Sequence, residues 1–311
     1  AIKNAPPGFS YPGDPGFAGK SGINNQWGHF DPRIGLAWDP FGDGKTAIRV
    51  GAGIAHDYIE QDLHLNTSSV LPFRLTVVTT PGTTADFLGN PYPTGTPFPY
   101  NYNPKNPVYP DTSVAGCLTT TCPPSFLPVP ANMQTHAQYS WNLAIQRQIT
   151  PSLFASATYI GTHIIHLWNA VELNPGTLVP GVTPSAANLN ARRVLNIAGA
   201  KLGNVTQYDD GGTQGYNGLL FSTNWRLRDN LTVNANYTWS RCIGLPLITL
   251  LNPGANYIHQ GFGQNVGAAD RNADVGDCAQ DRRQVANITL VASTPKFANH
   301  MTNMIAGGWT T

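Results

Sequence analysis

Residues 231 to 240 alternate without a break: Leu231, Val233, Ala235, Tyr237 and Trp239 are apolar, and Thr232, Asn234, Asn236, Thr238 and Ser240 are small and polar. Side chains of a β-strand point to opposite faces in turn, so the segment has one apolar face and one hydrated face. Six further segments share the period. Phe30, Pro32, Ile34, Leu36 and Trp38 alternate with Asp31, Arg33, Gly35 and Ala37, and Ile48, Val50, Ala52 and Ile54 follow in the same way. Tyr139, Trp141, Leu143 and Ile145 mark a third strand. A fourth, from Leu153 to about Thr162, is interrupted by Phe154 and Ile160 on its otherwise small or polar face. Leu219, Phe221, Thr223, Trp225 and Leu227 mark a fifth, residues 231 to 240 the sixth, and Ala286, Ile288, Leu290 and Ala292 a seventh. Each is about the length that a tilted strand needs to cross a bilayer. Helical spacing survives only across Ala186 to Ala200.

The connections separate architectures that the strands alone do not. Residues 39–44, 150–152 and 228–230 are short and rich in turn formers, whereas about 59–137, 163–215 and 242–281 are long. This strict alternation predicts an all-β fold: an antiparallel up-and-down β-barrel, or part of one, with short turns at one end and long loops at the other. A soluble β-sandwich also carries alternating strands, but it has no reason to keep every long loop at one end. The chain is expected to form a single barrel-type domain over residues 1–311. Tyr139, Trp141, Phe221, Trp225, Tyr237 and Trp239 then form an apolar face meeting lipid or a protein partner.

Composition narrows the function classes. Charged residues make up 11% of the chain, against about 25% in ordinary globular domains. Gly (32) and Pro (26) are abundant, as a turn-rich β protein requires. A net charge of +1 supplies no field for nucleic acid, which is not expected as a partner. No apolar run approaches the roughly 20 residues of a membrane helix. The N-terminal Ala1-Ile2-Lys3-Asn4 lacks the apolar core of a signal peptide.

Candidate chemistry is sparse. The four cysteines fall as two local couples, Cys117 with Cys122 and Cys242 with Cys278, all in predicted connections. An even count favours disulfides; three pairings are possible, and four free thiols are the alternative. Asp270, Asn272, Asp274 and Asp281 occupy positions one, three, five and twelve of a calcium-type loop, but Val275 stands where the turn needs Gly, and Asp281 is shorter than the usual Glu. The same acids suit the solvated base of an external loop. His163 and His166 are three apart without a zinc motif around them and read as loop histidines at a barrel rim. Phe98, Tyr100 and Tyr102, set among prolines, could present aromatic faces to a ligand or pack on themselves. No Gly-x-Ser-x-Gly elbow, phosphate loop or dinucleotide fingerprint occurs. No enzymatic role is expected, nor any cofactor beyond the calcium candidate.

Several runs have a family likeness. Residues 30–46, from Phe30-Asp31-Pro32-Arg33 through Trp38-Asp39-Pro40-Phe41-Gly42-Asp43-Gly44-Lys45-Thr46, resemble a stretch in the barrels of TonB-dependent outer-membrane receptors, especially the large Oar-like group with a carboxypeptidase-regulatory-like N-terminal domain. Residues 141–148, Tyr159-Ile160-Gly161-Thr162-His163, Tyr216-Asn217-Gly218-Leu219, residues 236–240 and Asp281-Arg282-Arg283 match further stretches in family order. The resemblance implies an outer-membrane location, lipid and the TonB system as partners, and a bulky ligand taken up through the long loops. It also implies a plug domain and terminal strands not visible here. Gly307-Gly308-Trp309-Thr310-Thr311 resembles the start of a further strand. Seven or eight strands from a wider barrel leave open edges, whose unpaired backbone is costly in lipid. The alternative is therefore a self-assembling extracellular or cell-surface protein, in which copies of the chain pair edge to edge.

Overall fold

The computed structural model describes residues 5, 8–11, 13–19, 22–58, 125–245, 275–294 and 298–309. Eight strands form one sheet: β1 Arg33–Trp38, β2 Thr46–His56, β3 Ala137–Thr150, β4 Leu153–Glu172, β5 Thr206–Arg228, β6 Leu231–Gly244, β7 Gly276–Asp277 and β8 Gln284–Ala292. Each of β1 to β6 pairs antiparallel with the next in chain order, and β7 and β8 both pair with β6. The fold is thus an up-and-down antiparallel sheet, part of a barrel wall, as the period-two pattern and alternating connections require.

The short turns are stitched by their own side chains. Asp39 accepts from the N–H groups of Phe41 and Gly42 through one oxygen and from Gly44 through the other. These bonds, the Gly44 one foremost, hold its carboxyl below the usual range. Gly42 and Gly44 have φ of 68° and 69°, a left-handed turn that side chains with a Cβ resist. The β5–β6 turn is only Asp229-Asn230, and Asn230 exchanges hydrogen bonds with Ser293 just beyond β8.

The loop end departs from the sequence expectation. The connection drawn at 163–215 is shorter, because β4 runs on to Glu172 and β5 starts at Thr206. The reason is a pair of register shifts, between Ile165 and Leu167 and between Leu167 and Asn169, with His166 at a φ of 56°. Each bulge moves the following side chains to the other face, which erases the alternation while pairing continues. About 10 residues cross a bilayer, so roughly half of the 20-residue β4 and of the 23-residue β5 stands clear of it. The expected 242–281 loop likewise contains the end of β6 and all of β7. The helical spacing at 186–200 becomes a 3-10 turn, Asn190–Arg192, and a single helical turn, Val194–Ile197. Before the Gly307–Thr311 segment stands a helix that the alternation did not announce, His300–Ala306.

Buried side chains gather above the sheet. One cluster joins Tyr11, Phe126, Leu202 and Val205, with Phe9, Leu173 and Leu195 against them, and Phe9 stacks on Phe126 at 4.6 Å. Burial and the nearby Asp14 carboxylate push the Tyr11 phenol up to about 12. A second joins Met133, Trp168 and Tyr208, with Ile23 and Val129 against them. The N-terminal segment thus packs onto the 173–205 connection at the long-loop end.

Candidate functional site

Register converts the alternation into two continuous surfaces. Across seven strands, Trp38, Ile48, Ile145, Ala157, Phe221, Tyr237 and Ala286 stand directly opposite one another in sequence of pairing, an unbroken apolar row. The row beginning one residue further along the β2–β3 pair reads Ala47, Gln146, Ser156, Ser222, Asn236 and Asn287. Directly opposed residues share a face, so one side of the sheet is apolar and the other hydrated. On the polar side Ser156 and Ser222 share a 2.5 Å hydrogen bond, as do Asn224 and Asn234.

Tyr139, Trp141, Phe221, Trp225, Tyr237 and Trp239 all lie exposed on the apolar face. Trp239 is 60% exposed, in line with Leu219 and Tyr159 across the sheet. A contiguous apolar face of this extent is unstable in water and suits hydrocarbon.

At the long-loop end a polar knot holds the 173–205 connection. Asn174 is fully buried; its amide donates to the carbonyls of Leu202 and Gly203, and its oxygen accepts from Leu195 N–H. Glu172 accepts from the N–H groups of Asn174 and Val205 and from the Thr206 hydroxyl. The Arg193 guanidinium donates to the Asn174 carbonyl and to the Asn204 side chain, 4.0 Å from Glu172. Arg192 is tied to Asn188 and to the Thr177 carbonyl. With its buried polar groups satisfied in this way, the connection is a fixed platform above the wall.

Below the platform, histidines and aspartates join the strand ends. His29 stacks on His56 at 4.3 Å, and His56 Nδ1 lies 2.6 Å from Asp31. That bond holds the Asp31 carboxyl below its ordinary range. His136 accepts the Trp168 N–H at Nε2, with Asp57 3.7 Å from its Nδ1. Burial outweighs Asp57 and, together with His166, pulls the His136 pKa down. His166 lies 4.0 Å from Asp210. His163 and His166, expected in a loop, both lie within β4: His163 pairs with Gly215 of β5, and His166 sits at the first of the two register shifts, beyond which the pairing to β5 resumes. Among the described residues no group of three or more His, Cys, Asp or Glu is arranged to hold a metal ion.

The third corner is covalent. Cys242 and Cys278, 36 residues apart, form a disulfide that joins the end of β6 to β7. Asp281 accepts from Cys242 N–H and pairs with Arg283 at 2.7 Å, so both carboxylate oxygens serve this corner. Asp277 bridges Arg283 and Arg241, which together hold its carboxyl low. The remaining calcium candidates Asp270, Asn272 and Asp274, together with Cys117, Cys122, Phe98, Tyr100 and Tyr102, lie outside the described residues.

Sequence reasoning missed the Glu172–Asn174–Arg193 knot and the His29–His56–His136 junction. The knot leaves no periodic trace. The junction was accessible, since all three histidines flank loop ends of predicted strands.

The family model described as "Outer membrane beta barrel domain" matches residues 2–311. No curated protein matches the chain significantly. Among solved structures, the chain is similar to the outer membrane transporter YddB from Escherichia coli, at 12% identity over 71% of this chain and 21% of that one, with a TM-score of 0.41. It is similar to the FrpB iron transporter from Neisseria meningitidis at 11% identity over 87% and 25%, TM-score 0.40. The hemophore receptor HasR from Serratia marcescens gives 12% identity over 85% and 30%, TM-score 0.38. The chain therefore spans less than a third of the length of these three proteins. With its family match running over all but the first residue, and with a sheet apolar on one face and hydrated on the other, the chain belongs to the outer membrane β-barrel domain family and lies in the outer membrane.

Proposed function

We propose that this chain is the barrel portion of a TonB-dependent outer-membrane receptor of the Oar-like group, whose complete form binds a bulky ligand at its long loops and carries it inward. The observation that carries the reading is the asymmetry of the two ends. One end closes in turns as short as Asp229-Asn230. The other carries a platform held by buried Asn174, Glu172 and Arg193, far more structure than strand connection needs. Ordered loops on a rigid wall are where binding sites are built. The hydrated inner face suits a filled or water-lined interior. Phe98, Tyr100 and Tyr102 are assigned to the ligand surface, and the TonB system to the driving partner. The Oar-like assignment rests on the runs around Trp38-Asp39-Pro40-Phe41-Gly42 and Asn236-Tyr237-Thr238-Trp239-Ser240.

The test uses cells displaying the complete receptor, with a fluorescent peptide mixture and a labelled oligosaccharide mixture as probes. Surface binding is expected to vanish when residues 177–191 are replaced by a Gly-Ser linker, with the barrel still in the outer membrane. Internalisation is expected to stop when TonB is deleted. Equal internalisation with and without TonB refutes the receptor assignment.

A second reading has one observation in its favour: the edge strands β1 and β8 are exposed along their full lengths. Copies of the chain pairing edge to edge would cover them. Ordered filaments of the chain in detergent-free buffer would favour this reading over the first.

A further inference from the structure

The segment after β8 is more elaborate than a turn. Asn299 caps the helix His300–Ala306, its side chain accepting from the N–H groups of Met301 and Thr302. Seven residues are too few for a helix to persist alone in water. Met301, Met304 and Ile305 are 68%, 69% and 67% exposed, and their i, i+3, i+4 spacing sets them on one stripe. Asn303 and Ala306 are half-buried away from it.

Trp309 fastens this helix to the barrel wall. Its indole N–H donates to the Ile305 carbonyl at 2.8 Å. Its backbone carbonyl accepts the Thr294 N–H at 2.9 Å, and its own N–H reaches the Thr294 hydroxyl at 3.0 Å. Thr294 continues the phase of Ile288, Leu290 and Ala292, which pair with Ala235, Val233 and Leu231 on the apolar face. Trp309, bonded to Thr294 through its backbone, therefore stands next to the lipid-facing surface at the point where the wall leaves the bilayer, at the short-turn end, with the helix tied beside it through the Ile305 carbonyl. Residues 298–309 contain no Lys, Arg, Asp or Glu, while Lys296 lies just before them. An uncharged apolar stripe ending in tryptophan suits the boundary between headgroups and chains.

We propose that residues 300–309 form an interfacial foot, in which Met301, Met304, Ile305 and Trp309 lie in the headgroup boundary of the leaflet at the short-turn end, with bilayer lipid as their partner. The inference rests on the outer-membrane placement of the sheet. It adds a contact made by a helix lying along the surface to those made by strands that cross it.

The test is quenching of tryptophan emission in the full chain reconstituted into phosphatidylcholine vesicles. The Trp309 signal is the difference between wild type and Trp309→Phe; Trp225→Phe and Trp239→Phe report the wall in the same way. Lipids brominated near the headgroup are expected to quench the Trp309 signal several-fold more than lipids brominated near the chain ends, while aqueous iodide barely acts. The double change Met304→Asp, Ile305→Asp is expected to open Trp309 to iodide several-fold and to leave the heat-modifiable migration of the barrel unchanged. Free iodide quenching of Trp309 in the wild type, with Trp225 and Trp239 quenched by brominated lipid, overturns the foot and leaves the barrel reading standing. Silence of all three toward brominated lipid overturns the lipid-facing sheet and the foot with it. Iodide exclusion without brominated-lipid quenching, varying with protein concentration, assigns the stripe to a protein partner and also overturns the proposal.

Discussion

The indole of Trp141 lies over Gly161, its direct partner across β3 and β4, and fills the volume that a Cβ on Gly161 would need. The pair sits on the apolar face, flanked along the strands by Leu143 and Tyr159 on one side and Tyr139 and His163 on the other. Covering a strand glycine with an aromatic ring restores packing that the glycine lacks. Gly161→Val should therefore displace the indole and cost roughly 1–3 kcal/mol, the usual range for overpacking. Gly276→Ala, at a position with open space around it, is the control. Urea unfolding of the two variants in the same vesicles compares them, and equal midpoints would show that the ring does not depend on Gly161.

The loop platform should come apart independently of the wall. Asn174→Ala removes the acceptor of the half-buried Leu195 N–H and the donor to the Leu202 and Gly203 carbonyls; Leu202 keeps its bond from the Asn196 amide, while the Gly203 carbonyl stays buried and loses its Asn174 donor. One unsatisfied buried group costs about 1–3 kcal/mol, enough to open a connection that the sheet does not hold. Limited proteolysis should cut the variant within residues 173–205 several-fold faster than wild type, with the barrel's unfolding midpoint unchanged. A fall in the midpoint of the same size would show that platform and wall unfold as one unit.

Much of this architecture was written in the alternation, and the failures share a cause. Trp38, Phe221 and Tyr237 were placed on one face because period two holds wherever pairing is regular. It fails at His166 and Leu167, where bulges shift the phase, and the second half of β4 consequently read as loop. The start of β5 contains Gly211, Gly212 and Gly215, which interrupt the alternation and fall in the 163–215 stretch expected as a loop, although Gly212 sits tightly against Leu167 and Asn169. Buried polar groups such as Asn174 and Arg193 follow contacts between distant segments and leave no period to detect. The helix at His300–Ala306 spans two turns, too short for its spacing to stand out.

The rim of the barrel should loosen in mild acid. Burial pulls the His136 pKa below its ordinary 6.5, so the folded chain binds this proton less readily than the unfolded chain. Its contribution to stability is complete above 6.5 and declines as pH falls below that value toward the lowered one. The cause is local: Nε2 accepts the Trp168 N–H, and protonation there replaces an acceptor with a second donor. Hydrogen exchange at the Trp168 amide should accelerate between pH 7 and pH 5, after correction for the intrinsic rate. His136→Gln, whose side chain keeps an acceptor that does not titrate, should flatten the change. Wild-type exchange that is independent of pH over this interval would exclude His136 as the titrating group.

Neighbouring residues Phe221 and Ser222 give the sharpest test of the two-faced wall. Phe221 stands between Ala157 and Tyr237 in the apolar row, and Ser222 between Ser156 and Asn236 in the polar one. The two are adjacent in one strand, so backbone, depth and strand propensity are nearly shared, and only the face differs. A cation on the lipid face near the bilayer midplane costs about 2–4 kcal/mol, whereas lumen positions tolerate charge. Phe221→Arg should therefore lower folding stability in vesicles by that amount. Ser222→Arg loses its hydrogen bond to Ser156 and should cost no more than about 1.5 kcal/mol. In detergent-free buffer, with the apolar face covered by protein instead, Phe221→Arg should break assemblies apart and leave membrane insertion untouched. Equal costs for the two substitutions would mean that the faces are not distinguished by their surroundings, and both the lipid-facing wall and the edge-paired assembly would then fail together.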